Sequence, residues 1–303
     1  MAARLFVTGL GGFVGGHLAA RIALDPAVYE LATPIELELR DRASIERALS
    51  IAGPDLVMHL AAQSSVAESL RDPHATYEIN FLGTLNLLEA LVATGFSGRM
   101  LYVGSGDEYG VVADADLPVR ETQPLRPRNP YAVSKVAAEA LCYQWSQTAA
   151  FEIVLARPFN SIGPGQGPRF AIADFARQIV EAAQGRRPPR LETGDLGVTR
   201  DFTDVRDVIG AYLALLERGV NGEAYNVCSG REYVLRDLVE QMAALAGVAL
   251  ELVTVSARMR PGEQRRMAGD ATKLFQQTGW SASTPIATTL RDIIDDWSGR
   301  IGE

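Results

Sequence analysis

Short apolar runs alternate with longer stretches of helical periodicity through the first half of the chain. Residues 5–8, 56–59, 100–103 and 153–156 are apolar runs of strand length, whereas 13–24, 80–93 and 131–147 space their apolar side chains as helices do. Strands alternating with helices predict βαβ units and a parallel sheet. A further strand is expected over 30–35, weakened by Pro34, which has no N–H to give a ladder. The pattern changes after Arg157. Residues 158–168 (PFNSIGPGQGP) read as a loop, a helix is expected over 170–184, and GRRPP at 185–189 breaks the chain again. Helices over 204–216 and 234–246 are expected to flank a strand at 224–227, and 256–264 reads as polar and irregular. The predicted class is α/β, a doubly wound parallel sheet with a smaller second α/β domain. The first domain is expected over residues 1–157, with segments near 201–227 returning to it, and 158–303 forms mainly the second.

Composition narrows the function classes. The 303 residues are 47% apolar and 22% charged, which suits a globular chain with a sizeable core and not a disordered one. No stretch approaches the ~18 apolar residues of a membrane span. The first strand-like run begins at Arg4, leaving no room for a signal peptide before it, so a cytoplasmic protein is expected. With 29 basic and 37 acidic residues the formal charge is −8, which argues against nucleic-acid or membrane partners. A small anionic substrate remains compatible, because a few well-placed arginines suffice to hold it. Cys142 and Cys228 are the only cysteines and exclude a disulfide scaffold; with His17, His59 and His74 they show no zinc-ligand spacing, so no metal site is expected. Both cysteines read as small buried hydrophobes, and His17 and His59 as packing residues.

Residues 8–15 read TGLGGFVG between the first strand and the first helix, with Gly9, Gly12 and Gly15 enclosing Phe13 and Val14. In such a turn the first glycine allows the tight bend, the second lets backbone approach a pyrophosphate, and the third lets the helix pack on the strand. The helix N-terminus supplies unpaired N–H groups for the phosphates. A glycine triplet alone also fits a structural βα turn, but its place behind the first strand points to a Rossmann-type dinucleotide site. Glu36 lies where an acidic residue would read the adenosine ribose, and no arginine just after the strand marks a 2′-phosphate. NADH and NADPH therefore both remain open.

Tyr131 and Lys135, in NPYAVSK, are four apart and share one helix face. An ammonium near the phenol is expected to lower its pKa from ~10 toward the working pH. Ser105, in GSGDEYG, falls at the carboxyl edge of a parallel sheet, where ligands bind. Its hydroxyl is expected to bond a substrate carbonyl beside Tyr131.

These motifs, together with HLAAQSSV at 59–66, Asn80 in NFLGT and RPFNSIGPGQ at 157–166, resemble the extended short-chain dehydrogenase/reductase family over nearly the whole chain. The resemblance implies that Gly9, Gly12, Phe13, Val14 and Gly15 hold the pyrophosphate. It implies that Glu38 and Leu39 frame the adenine, that Ala61 and Ala62 line the cofactor cleft, and that Asn80 supports the site. Ser105, Tyr131 and Lys135 would polarise the carbonyl, donate the proton and tune the donor, with NADPH or NADH as cofactor. Within the family, HLAAQS with Gln63, SGDEYG, RPFNSIGPGQ, GDLGVTRDF at 194–202 and RMRPGEQRR at 258–266 are most similar to reductases acting on GDP-4-keto-6-deoxy-D-mannose. That likeness implies Arg200 and Arg260 on a diphosphate, Glu263 on the GDP ribose, and Asn160 near a phosphate or the sugar. It places Arg177 and Leu191 at the guanine. Arginine forks match phosphate oxygens better than lysine does. Related dehydratases carry a polar residue and a Glu where this chain has Gly106 and Asp107, which favours a reductase and leaves Asp107 near the sugar ring. A 4,6-dehydratase or 4-epimerase that retains NAD, and a non-catalytic NAD(P) sensor, are the alternatives. The helices near 80–94 and 131–147 are expected to pair with their copies in a homodimer, with a tetramer also open.

Overall fold

The computed structural model describes residues 2–32, 37–258 and 264–302. In chain order the elements are β1 (Ala3–Thr8), α1 (Phe13–Leu24), β2 (Tyr29–Leu31), α2 (Arg42–Ala52), β3 (Leu56–His59), α3 (Val66–Arg71), α4 (Pro73–Tyr77), α5 (Gly83–Ala93), β4 (Arg99–Val103), α6 (Pro130–Ser146) and β5 (Glu152–Pro158). Then follow β6 (Asn160–Ile162), α7 (Ala171–Ala183), β7 (Arg190–Thr193), β8 (Thr199–Asp204), α8 (Val205–Arg218), β9 (Ala224–Val227), β10 (Glu232–Val234), α9 (Leu235–Leu245), β11 (Glu251–Thr254), α10 (Thr272–Thr278) and α11 (Ile286–Gly302).

Six strands form one parallel sheet in the order β2-β1-β3-β4-β5-β9. Its central strands are buried on both faces, which is why they read as continuous apolar runs. One face packs on α1 and α8 through Leu18, Ile22, Val208 and Tyr212. The other packs on α2, α5 and α6 through Ile45, Leu88, Leu91 and Cys142. A separate apolar cluster joins α7, α9 and α11 to β7 and β8, with Phe175, Leu191, Leu238 and Trp297 at its centre. Two small sheets accompany it, β10-β8-β6 and β11-β7. Among the described residues no helix is long and apolar enough to cross a membrane.

The structure departs from the sequence reading in places. Helical periodicity over 80–93 is broken into a π turn at Glu78–Leu82 followed by α5. The π turn inserts an extra residue and turns Asn80 inward, 2% exposed. The stretch 158–168 is not all loop, because β6 pairs in parallel with β8 across forty residues of chain. The second strand ends at Leu31; Glu36, and most of the polar segment 256–264, lie outside the described residues.

Candidate active site

The glycine turn is closed by sterics. Gly9 has φ +79°, and a Cβ there would stand 2.7 Å from the Ala61 nitrogen, so the turn and the Ala61–Ala62 loop meet only because residue 9 has no side chain. A Cβ at Gly15 would overlap the Gly9 carbonyl. Helix α1 starts at Phe13 with Gly12 as its N-cap and no side chain capping it, which leaves its N–H donors to a ligand. These features fit a pyrophosphate. Thr8 and the buried His59 fasten the same corner. His59 Nδ1 lies 2.6 Å from Thr8 Oγ1 and Nε2 lies 3.0 Å from Thr84 Oγ1, while Ala61 N–H donates to Thr8 Oγ1 at 3.1 Å. Burial, reinforced by the Lys135 charge, lowers the imidazole to about 3, so it is neutral there. His59 packs as expected, though its partners are hydroxyls. His17 reaches the Pro164 carbonyl at 2.7 Å, tying α1 to the loop after β6.

Asn80 accepts from Gln63 N–H (2.8 Å) and donates to the Gln63 carbonyl (3.0 Å) and to Ser134 Oγ (2.9 Å). It thus joins the loop after β3 to α6. Glu38 sits in a two-point ion pair with Arg40, which holds its carboxyl down at about 2, and Leu39 is buried against α5.

Helix α6 opens with Asn129 accepting from Ala132 N–H (2.8 Å) and Pro130 in its first turn, which sets the entry angle of Tyr131. Tyr131 and Lys135 face inward, 9% and 5% exposed. Ser105 caps the short turn Gly106–Tyr109 after β4, its hydroxyl accepting from Asp107 N–H at 3.2 Å, and it neighbours the Tyr131 phenol. Lys135 Nζ donates to the Val103 carbonyl at 2.7 Å. The expected electrostatics, a phenol lowered by the lysine, are corrected. Burial, then the charge of Asp107, hold the phenol well above its ordinary range. The lysine is directed at a backbone carbonyl, and burial lowers it to about 8. A phenol so placed keeps its proton at neutral pH, the state a proton donor needs.

Gly106 lies under Phe159, where a Cβ would stand 3.2 Å from the ring. Asp107 is exposed, and its charge is felt at Tyr131. Asn160 donates from Nδ2 to the Asp201 carbonyl (3.1 Å), and Arg200 Nη1 donates to the carbonyls of Thr199 and Gln264 at 2.7 and 2.9 Å. Arg200 thereby reaches the border of the segment that carries Arg260 and Glu263, which lie outside the described residues. Arg177 is paired with Asp174 and Glu181, both at 2.7 Å. Leu191 has no exposed surface, so its side chain serves the core around α7. Both cysteines are buried, and burial pushes their thiols up, so both pack as small apolar residues. Among the described residues no group of three His, Cys, Asp or Glu has metal-binding geometry.

One group escaped the sequence reading. Glu108, Glu139 and Arg157 form a buried cluster behind Ser105. Two spacings carried the signal: Glu139 continues the four-residue step of Tyr131 and Lys135, and Ser105-x-x-Glu108 is a capping box.

Comparison with known proteins gives the family. A family model described as GDP-mannose 4,6 dehydratase matches residues 25–293. The chain is 51% identical over 304 residues, covering all of both chains, to GDP-6-deoxy-D-mannose reductase of Pseudomonas aeruginosa. The solved structure of RMD from Pseudomonas aeruginosa complexed with NADPH superposes with a TM-score of 0.94 at 50% identity, over 99% of this chain and all of that one. UDP-glucose 4-epimerase of Thermus thermophilus, in complex with NAD, superposes at 0.85 and 30% identity over 98% of this chain and 99% of the other. Matched by that family model over residues 25–293 and by a relative over its whole length, the chain belongs to the GDP-mannose 4,6-dehydratase family of extended short-chain dehydrogenases/reductases.

Proposed function

We propose that the protein reduces the C4 ketone of GDP-4-keto-6-deoxy-D-mannose to GDP-D-rhamnose with NADPH or NADH. The observation that carries this reading is the buried, protonated Tyr131 at the Ser105 turn, in a chain 51% identical end to end to a GDP-6-deoxy-D-mannose reductase. When bound, the nicotinamide supplies the hydride. Ser105 donates to the ketone oxygen and Tyr131 gives its proton to the alkoxide that develops there. Lys135, fixed by the Val103 carbonyl, offers a positive charge beside the phenolate that remains. The N–H groups at the start of α1, over Phe13 and Val14, hold the pyrophosphate, Gly12 bringing the backbone close while its own N–H closes the turn on Gly9, and Asn80 keeps the Gln63 loop on α6.

A dehydratase needs further acid–base groups beside the serine. Residue 106 offers no side chain, and the Phe159 ring occupies the space above it. That supports reduction of a sugar that has already lost its C6 hydroxyl, rather than the dehydration that removes it. Arg200 with Arg260 grips the diphosphate, Glu263 takes the ribose, and Asn160 and Asp107 border the sugar. Arg177 would meet the base only by releasing Asp174 or Glu181. Residues 1–157 with the returning β8–β9 region serve the cofactor, and the remainder of 158–303 serves the nucleotide sugar. The protein works in the cytoplasm as a homodimer through the outer faces of α5 and α6, where Val92, Val133 and Tyr143 are exposed.

The test follows NADPH or NADH absorbance with GDP-4-keto-6-deoxy-D-mannose. Tyr131→Phe should lower turnover by about 10²–10⁴-fold while cofactor still binds. Undiminished turnover in Tyr131→Phe would overturn the assignment. A cofactor that stays bound without net oxidation, while a GDP-hexose changes, would replace it with an epimerase or dehydratase.

A further inference from the structure

Behind Ser105 the protein buries two carboxyls against a single guanidinium. Glu108, wholly buried, turns back so that Oε1 accepts the Ser105 backbone N–H at 2.7 Å. Only a glycine at 104 permits this, since a Cβ there would collide with that oxygen. The other oxygen, Oε2, finds no hydrogen-bond donor and stands 3.7 Å from Arg157 Nε. Arg157 is already committed. Its Nε and Nη2 grip Glu139 at 2.9 and 2.6 Å, and its Nη1 donates to the Tyr109 hydroxyl and the Glu121 carbonyl. Glu108 and Glu139 thus face the same guanidinium from two sides of one buried pocket.

Two buried carboxylates facing one another with one cation between them would leave an uncompensated negative charge, which is costly. A single proton between them makes the trio neutral and gives the orphaned oxygen a partner. We propose that Glu108 is a positioning residue for the reduction: its carboxyl shares a proton with Glu139 and so clamps the backbone of Ser105 with its hydroxyl beside Tyr131. The inference rests on the reductase reading above. Burial and the Glu139 charge raise the Glu108 carboxyl far above the usual carboxylate range, against the pull of Arg157 and the Ser105 N–H. The groups that feel its charge are Lys135, Tyr131 and Cys142 on α6, Tyr102 on β4, and Tyr109 on its own turn. A neutral Glu108 therefore spares Tyr131 a buried anion that would oppose the phenolate formed on proton transfer.

The glutamine variant separates clamp from charge. In Glu108→Gln the amide oxygen still accepts from Ser105 and the amide N–H still donates to Glu139, copying the protonated acid. Glu108→Ala removes both bonds. Misplacing a catalytic group by about 1 Å costs about 10²-fold, so Glu108→Ala should lose about ten- to hundredfold in kcat, while KM for sugar and cofactor changes less than about twofold. Glu108→Gln should return to within about threefold of the unmodified enzyme. Full activity in the alanine variant, or equal damage in both variants, would overturn the proposal. Infrared difference spectra test the shared proton apart from turnover. A protonated-carboxyl stretch at neutral pH that disappears in Glu108→Gln is expected, and its absence from the unmodified protein would overturn the proposal. If the unmodified enzyme does not reduce the sugar, the reductase reading fails, while the infrared band still reports on the carboxyl pair.

Discussion

Replacing Asp201 should unfasten three loops at once. This carboxylate, fully buried on β8 beside Arg200, accepts from Ser229 N–H (2.9 Å), Ser229 Oγ (2.7 Å), Gly230 N–H (2.9 Å) and Gly269 N–H (3.2 Å). The loop after β9 and the chain returning at Gly269 therefore meet on one side chain. Val119 pairs with Gly269 across an isolated bridge, so the segment after the Ser105 turn is attached to the same point. Asp201→Ala leaves three backbone donors without an acceptor. A hydrogen bond to a charged group contributes about 1.5–3 kcal/mol, and four of them are offset by the cost of burying the carboxylate. That cost is real here, since burial pushes the Asp201 carboxyl above its ordinary range despite four donors. A net loss of about 3–5 kcal/mol is expected. Urea denaturation followed by tryptophan fluorescence measures it as a shift in midpoint at constant slope. A loss below about 1 kcal/mol would refute the reasoning, because the three loops would then be held by other contacts.

Asn80→Ala removes the bonds from Gln63 to Ser134, and should raise KM for NADPH and lower kcat together, checked by steady-state kinetics. Asp204 is bound on both oxygens by Arg206 and on one by Thr289, and these partners hold its carboxyl below the usual range in spite of burial. Its contribution is therefore complete above the unfolded value of ~3.9 and is lost as pH falls through the depressed folded value. The stability gap between the unmodified protein and Asp204→Asn, from urea midpoints across pH, should be widest near neutrality and close only in strong acid. Val133→Asp, on the exposed face of α6, should convert a dimer to a monomer in light scattering; a monomeric unmodified protein would remove the proposed interface.

The cofactor half of the molecule is legible in the sequence because its determinants are local. TGLGGFVG needs only the sterics of a tight turn, and Tyr131 and Lys135 need only four residues of one helix. Strands β1, β3, β4 and β5 are legible because burial on both faces makes them apolar runs. The π turn at Glu78–Leu82 is not, since one added residue leaves the helical periodicity nearly intact while rotating Asn80 inward. Strands β6, β7, β8, β10 and β11 are three to six residues long and take their identity from partners far along the chain, so no local pattern marks them. The state of Tyr131 was equally out of reach. Its spacing to Lys135 is local, but its burial and the charge of Asp107 beside it come from tertiary packing. Arg177 on α7 illustrates the same limit, because a candidate ligand for a base is occupied by Asp174 and Glu181 of its own helix.

The most direct test of the account is the destination of the hydride. The purified protein would be given GDP-4-keto-6-deoxy-D-mannose with NADPH doubly deuterated at the nicotinamide C4, and the product read by NMR. The account predicts GDP-D-rhamnose with deuterium at the sugar C4, in step with the NADPH consumed. A GDP-sugar changed without deuterium at C4, or without consumption of the reduced cofactor, would contradict it.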